Sequence, residues 1–207
     1  ARSTWLVGRL KVMSVWARLS AGSSCSLMFW TIMSTFTPAS ASEPKIAAGN
    51  TVPAGYDGRE MFTKFVKTNE RGEAVFEFEP GQDGYYSVEF TGFDDGREVK
   101  GVANVFVCSK SSRDIGYRYG GLQIITEKDT YQAGETMRAM IVADKPDTWV
   151  LFTGEADEIV EAQVLHLEGS VKLIEIPVTD NFIPNIHLSA LSADHYQLKI
   201  ASLEVIV

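Results

Sequence analysis

The chain has 207 residues, 22% of them charged and 45% hydrophobic, which is the usage of an ordinary globular protein. This length accommodates one large domain or two domains of about 100 residues each. The formal net charge of −8 argues against nucleic acid or an anionic membrane surface as the main partner.

The charge is distributed unevenly along the chain. Residues 1–55 carry five basic residues and one acidic residue, whereas residues 56–207 carry 14 basic and 26 acidic residues. Read from Met13, the basic part is similar to a secretory signal, with an interrupted apolar stretch at Cys25–Phe36 and small residues at Ala39–Ala41. The alternative is an irregular start of the first domain, or sequence outside the fold. No apolar stretch reaches the length of a spanning helix, so we expect no membrane insertion.

Strand-like alternation of apolar and polar side chains begins after residue 60. It predicts half-buried strands at residues 73–79 and 85–90. Pro80–Gly84 between them predicts a hairpin loop, because proline and glycine favour sharp turns. Asp94–Gly96 predicts the next turn, and Val99–Val107 the next strand.

A polar, glycine-containing connection at Ser109–Gly121 predicts a linker between two domains. Seven further strands are predicted after it: Leu122–Thr126, Thr136–Ala143, Trp149–Phe152, Glu158–Leu167, Val171–Val178, Ile186–Leu191 and Gln197–Val207. Short strands separated by turn residues are typical of antiparallel β-sandwiches. We therefore predict an all-β chain of two tandem sandwiches at 1–108 and 122–207, with the first ~55 residues irregular or atypical.

Residues with reactive side chains do not form a recognisable catalytic motif. Cys25 and Cys108 either pair or lie as independent buried thiols, and they form no C-x-x-C motif. Glycine and serine motifs of hydrolases and nucleotide-binding proteins are absent from the sequence. We expect no enzyme activity, no catalytic residue and no cofactor.

Candidate metal ligands also lack the expected spacing. The histidines are His166, His187 and His195, which are not spaced as converging zinc ligands. The carboxylates Glu155, Asp157, Glu158 and Glu161 lack a calcium-binding glycine loop and favour a solvated hairpin tip. We expect no metal site.

Several segments in residues 60–207 resemble the alpha-2-macroglobulin family, in the order and spacing of bacterial members. The loop Lys128–Thr136 resembles its D-x-Y-x-P-G-E loop, with Ala133 where proline is usual. The other matching segments are Thr68–Gly72, Gly84–Tyr86, Trp149–Glu155 and Ile176–Ile186. The resemblance implies macroglobulin-like domains of immunoglobulin or fibronectin type III architecture, the second of them associated with the bait region.

What the resemblance implies for function is inhibition of endopeptidases by trapping. A protease cuts an exposed bait segment, the surrounding sandwiches rearrange, and the protease is enclosed. This chain would be a scaffold fragment, with endopeptidases as partners through the full-length protein and neighbouring macroglobulin-like domains as further partners. The implied location is the periplasm or cell envelope, or the extracellular space.

The covalent chemistry and the bait of the family are not found in this sequence. Neither Cys25 nor Cys108 begins the C-x-E-Q thioester motif of the family. The exposed loops expected at Ala190–His195 and Ser109–Gly121 are short for a bait, so we expect the bait outside this chain. Alternative functions are an adhesin-type array of binding sandwiches and an accessory domain of a carbohydrate-active enzyme. The second alternative requires an exposed aromatic row, for which Trp5 and Trp149 are too isolated.

Residues in the matching segments have predicted roles in the fold. Gly134 is expected to adopt positive φ in a turn. Tyr131 is expected to pack on its hairpin with a solvated hydroxyl. Pro177 should lie at a strand end or edge because it lacks an amide donor, and Pro184–Asn185 should form a turn.

Overall fold

The computed structural model describes residues 4–7, 13–18, 28–38, 56–66, 73–78, 80, 82–94 and 97–207. In this part of the chain the strands β1–β14 are joined by turns and by a single 3-10 turn at Asp180–Phe182. The all-β prediction is confirmed. No helix in the described part has the length and apolar character needed to span a membrane.

Seven strands precede the predicted linker. They are β1 Thr4–Val7, β2 Met13–Arg18, β3 Met28–Pro38, β4 Tyr56–Val66, β5 Glu73–Phe78, β6 Gly84–Asp94 and β7 Arg97–Cys108. Five of them form a sheet in the order β1-β7-β6-β3-β4, and β2 pairs with β5. These pairings are antiparallel except that of β1, which runs parallel to β7.

The prediction of a hairpin at Pro80–Gly84 is wrong. Strand β5 pairs with β2, whereas β6 pairs with β3 and β7, so this connection passes from one sheet to the other. The Phe78 and Tyr86 rings, whose centroids are 6.3 Å apart, pack between the two sheets. Alternating apolar residues fit both arrangements, because they mark a buried face without specifying the neighbouring strand. The strands on either side of the turn predicted at Asp94–Gly96 do pair antiparallel, with Asp94 opposite Arg97. Asp95 and Gly96 themselves lie outside the described residues.

Seven strands also follow the linker, in close agreement with the predicted segments. They are β8 Leu122–Thr126, β9 Thr136–Ala143, β10 Thr148–Glu155, β11 Ile159–Leu167, β12 Val171–Pro177, β13 Asn185–Asp194 and β14 Gln197–Ile206. They form a three-stranded sheet, β12-β9-β8, and a four-stranded sheet, β11-β10-β13-β14. Pro177 ends β12, as its missing amide donor predicts.

The second sandwich has its core between these two sheets. On β10 the side chains alternate strictly, so that Val150 and Phe152 are fully buried while Trp149 and Leu151 face outward. Ile186 and Leu188 complete the same layer from β13. Each such buried side chain stabilises the fold by about 1.5–3 kcal/mol relative to an exposed one.

Strand β9 departs from this alternation. Ala139, Met140, Ile141, Val142 and Ala143 are all fully buried, although only every second residue can face the core of the second sandwich. The predicted apolar face of Met137, Ala139 and Ile141 lines that core. The opposite face of β9 is therefore covered by something outside the second sandwich.

We expect Phe152→Ala to lower the free energy of unfolding by about 3–5 kcal/mol, because it leaves a cavity in a closed core. Leu151→Ala, one residue away on the outward face, is the matched control and should cost less than about 1 kcal/mol. Urea denaturation of both variants measures the difference. Equal losses would contradict the assignment of the two faces.

Candidate functional site

The two sandwiches meet in a buried apolar junction. Its fully or almost fully buried members come from both sandwiches and from the linker: Tyr85, Phe106, Cys108, Ile115, Met140, Val142, Val171 and Leu173. Met140 and Val142 belong to the outer face of β9, and Val171 and Leu173 to β12 beside it. The junction is what covers the second face of β9.

Three aromatic rings, two from the first sandwich and one from the linker, pack together in this junction. Tyr85 and Phe106 are opposite each other on β6 and β7, with ring centroids 5.2 Å apart. Tyr117 of the linker packs edge-on against Phe106 at 4.9 Å and lies 5.1 Å from Tyr85. Aromatic pairs in these arrangements contribute about 0.5–1.5 kcal/mol beyond the area they bury.

The linker backbone bonds to both sandwiches. The carbonyl oxygen of Ile115 accepts a hydrogen bond from the amide of Tyr85 at 2.8 Å, on the first sandwich. Two residues earlier, the carbonyl oxygen of Arg113 accepts from the amide of Val171 at 3.2 Å, on the second. The linker therefore joins the sandwiches through hydrogen bonds as well as through its covalent chain. These bonds pair backbone groups that burial would otherwise leave without a partner.

Gly169 allows the linker to approach the β11–β12 turn. A Cβ atom at this position would lie 1.9 Å from the carbonyl oxygen of Arg113 and 2.5 Å from its carbonyl carbon. Real Cβ atoms do not approach backbone atoms so closely, so any other residue must push the linker away. Only glycine, which has no Cβ atom, fits in the space between the turn and the linker.

Carboxylates hold the first part and the middle of the linker. Asp83 accepts hydrogen bonds from the hydroxyls of Ser109, at 2.6 Å, and Ser112. Further along, Asp114 pairs with the Arg118 guanidinium at 2.5 Å and accepts from the amide of Gly116 at 2.7 Å. Partial burial alone would raise the pKa of Asp114, but these hydrogen bonds outweigh it and hold the pKa below its usual value.

A cavity of about 220 Å³ lies beside the junction, lined in part by Lys110, Arg113, His166 and Lys172. Its cationic groups have partners already. Lys110 pairs with Glu175 at 2.6 Å and Arg113 with Glu168 at 2.7 Å. The Lys172 ammonium donates to the His166 carbonyl oxygen at 3.0 Å. The first two contacts join the linker to the second sandwich, and all three leave the cavity without the free cations of an anion site.

Cys108 lies inside the junction as a free, fully buried thiol. Burial, with the nearby charge of Asp83, raises the pKa of this thiol to about 11, against the opposing effect of a hydrogen bond with Ser112. At neutral pH it is protonated and unreactive. Cys108 thus fits the alternative of an independent buried thiol, whereas Cys25 lies outside the described residues.

The loop at Lys128–Thr136 closes the other end of the second sandwich. Gly134 has φ +91° and donates to the Val178 carbonyl oxygen at 2.8 Å, as predicted for a turn glycine. The Tyr131 ring is buried, but its hydroxyl accepts a hydrogen bond from the Lys128 amide at 3.0 Å, so the prediction of a solvated hydroxyl is wrong. In this short loop the backbone amide of Lys128 takes the place of water as the hydrogen-bond partner of the hydroxyl.

The other sequence-predicted candidates lie apart from one another. His166 stacks on Trp149 and contacts Asp147 at 2.7 Å, while His195 contacts Asp194 at 2.5 Å and His187 is exposed on β13. Among the described residues no group of three or more metal-binding side chains forms a candidate site. Asn185 donates across the strands to Glu204 at 2.5 Å.

The acidic residues of the β10–β11 hairpin are exposed or half-buried at its tip and along the strands beside it, as the solvated-tip prediction describes. The junction, by contrast, was missed at the sequence level. Its signal was the presence of Ile115 and Tyr117 in an otherwise polar linker.

One comparison with known proteins finds a match to the second sandwich. Residues 122–206 match the sequence model of the family described as "Alpha-2-macroglobulin bait region domain". The search of curated proteins returns no match.

Solved structures give a looser likeness. A beta-glucuronidase from Bacteroides uniformis is 12% identical over 99% of this chain and 24% of its own, with a TM-score of 0.32. The D00-D0 domain of intimin is 13% identical over 93% of this chain and 83% of its own, with a TM-score of 0.34. The native conformation of the E. coli alpha-2-macroglobulin is 12% identical over all of this chain and 14% of its own, with a TM-score of 0.36. Likeness at this level carries no functional argument, and this chain spans a small part of the first and third proteins.

We expect Gly169→Ala to destabilise the chain by about 1–3 kcal/mol, because the added methyl group overlaps the Arg113 backbone. Glu168→Ala, its neighbour, removes only an exposed ion pair and should cost less than about 1 kcal/mol. Thermal unfolding followed by circular dichroism compares the two. A Gly169→Ala variant as stable as Glu168→Ala would refute the close contact.

We expect the Cys108 thiol in a Cys25→Ser variant to react with Ellman's reagent at neutral pH only after the chain is unfolded. Burial and a pKa of about 11 both withhold the thiolate from the reagent. The comparison is between native protein and protein in guanidinium chloride. Prompt reaction of the native protein would show that the junction is open in solution.

Proposed function

We propose that the chain is a scaffold fragment of an endopeptidase inhibitor, because its second sandwich matches the sequence model of the alpha-2-macroglobulin bait region domain. In the proposed mechanism a protease cleaves a bait segment, and the surrounding sandwiches rearrange to enclose it. The single observation that carries the proposal is the family match over residues 122–206. This match covers one of the two sandwiches. That the chain is part of a whole inhibitor is the proposal.

The junction supports a wall-forming role. A wall of a trap has to keep its shape while neighbouring parts move, so two tandem sandwiches within it need a contact that resists bending. The buried cluster, the three aromatic rings and the two linker hydrogen bonds supply such a contact. We propose that the two sandwiches move together when the bait is cut.

In this proposal the chain has a mechanical role and carries out no chemical step. The buried Cys108 has no C-x-E-Q motif after it and is held protonated, so it contributes no thioester. Any covalent capture would therefore have to come from outside this chain. The proposed location is the periplasm or cell envelope, or the extracellular space.

The proposal is tested on the full-length protein that contains this chain. After incubation with an endopeptidase, we expect the protease to lose most activity on a large protein substrate and to keep its activity on a small peptide, because an enclosed protease admits only small molecules. Equal loss on both substrates would contradict trapping. Loss on neither would contradict it too and would favour the adhesin-type alternative.

The isolated chain is the control for the same experiment. It contains scaffold only in this proposal, so it should leave protease activity on both substrates unchanged. Inhibition by the isolated chain would refute the scaffold role.

A further inference from the structure

The outward face of the four-stranded sheet carries an apolar row that crosses every strand. Strand register places Val164, Leu151, Leu191 and Ile200 opposite one another on β11, β10, β13 and β14. Val164, Leu151 and Ile200 are 66%, 42% and 61% exposed, and Leu191 is half-buried. An unbroken aliphatic row of this kind costs solubility and is unusual on the free surface of a soluble domain.

More apolar surface continues from this row toward the linker end of the sheet. Trp149 stacks on its cross-strand partner His166 with ring centroids 4.5 Å apart and remains 61% exposed. On the other two strands Ala193 lies opposite Leu198, and both are exposed. The turn beyond them projects Tyr196, a fully exposed aromatic residue with φ +64°. We call these two rows with Tyr196 the apolar patch.

Polar and then acidic residues follow in the other direction along the same face. The next row is Ala162, Thr153, Ser189 and Ser202, and the row after it contains Glu155, His187 and Glu204. Asp157 and Glu158 are exposed at the hairpin tip beyond. In the described part of the chain no Lys or Arg forms an ion pair with Glu155, Asp157 or Glu158. We call Glu155, Glu204, Asp157 and Glu158 the acidic end.

The cations close to the apolar patch do not offset this acidic character. Lys145 pairs with Asp194, and Lys199 pairs with Asp144 at 2.6 Å. A second copy of this chain would add another net charge of −8 and a second acidic end to the same interface. The charge of the face therefore favours a basic partner over a second copy.

We propose that this face docks an extended protein segment with apolar side chains at one end and Lys or Arg at the other. The apolar side chains would cover Trp149, Leu151, Val164 and Ile200, and the cations would neutralise the acidic end. The other sheet of the sandwich shows that such coverage occurs in this domain, because its outer face is buried at the junction. The proposal goes beyond protease trapping and does not rest on it.

The test is a binding titration of the whole chain with a fluorescein-labelled synthetic peptide. The first half of the peptide alternates Val with Thr, and the second half alternates Lys with Ser. One control peptide has Glu in place of Lys, and another has Ser in place of Val. Fluorescence anisotropy should show saturable binding of the first peptide, and binding of both control peptides should be weaker by about tenfold.

Variants of the protein locate the binding. Ile200→Asp and Leu151→Asp should each weaken binding by about tenfold, because they place a charge in the apolar contact. Glu155→Lys combined with Glu204→Lys should weaken it about threefold to tenfold and reduce its salt dependence. Tyr119→Asp is the matched control, since Tyr119 is an exposed aromatic residue of the linker outside this face. Circular dichroism verifies that each variant is folded.

Two results would overturn the proposal. Equal binding of all three peptides, or equal binding by the Ile200→Asp, Leu151→Asp and Tyr119→Asp variants, would show that the face does not recognise this chemistry. Self-association of the chain that is abolished by Leu151→Asp, together with absence of peptide binding, would assign the face to a second copy. Light scattering measures that outcome.

Discussion

The burial of β9 on both faces is the constraint on which the described structure depends. One face, with Met137, Ala139 and Ile141, closes the core of the second sandwich, and the other, with Met140 and Val142, closes the junction. A strand that serves two cores cannot shift its register by one residue without exchanging every side chain between them. The position of the first sandwich and the fold of the second are thus specified by the same eight-residue strand.

The strands after the linker could be predicted from the sequence because each is short, alternates, and is bounded by turn residues. Leu122–Thr126 and Thr136–Ala143 agree with the structure to the residue. Contacts between distant segments could not be predicted in this way. The continuous run of apolar residues on β9 fits a strand buried on both faces, yet periodicity alone does not say what lies against the second face.

The same limit applies to the functional surfaces. Trp149 is isolated in the sequence, and only the register of β10 with its neighbours shows that Leu151, Val164 and Ile200 extend its apolar surface. The surface is aliphatic rather than an aromatic row of the kind that binds sugars. The side chain of Trp5 lies outside the described residues. The structural role of the linker could not be predicted either, because its many serine, glycine and arginine residues indicate an exposed connection. Two of its residues, Ile115 and Tyr117, nevertheless enter the junction.

The two hydrogen bonds from the linker have a consequence for cooperativity. Tandem domains on a loose tether melt separately, each with its own midpoint. In this chain the carbonyl groups of Arg113 and Ile115, two residues apart, bond to opposite sandwiches, and the side chain of Ile115 is buried between them. Unfolding of either sandwich would break its hydrogen bond to the linker and expose the apolar surface that it covers on the other sandwich. We therefore expect the two sandwiches to unfold as one cooperative unit, although the sequence divides them into two domains.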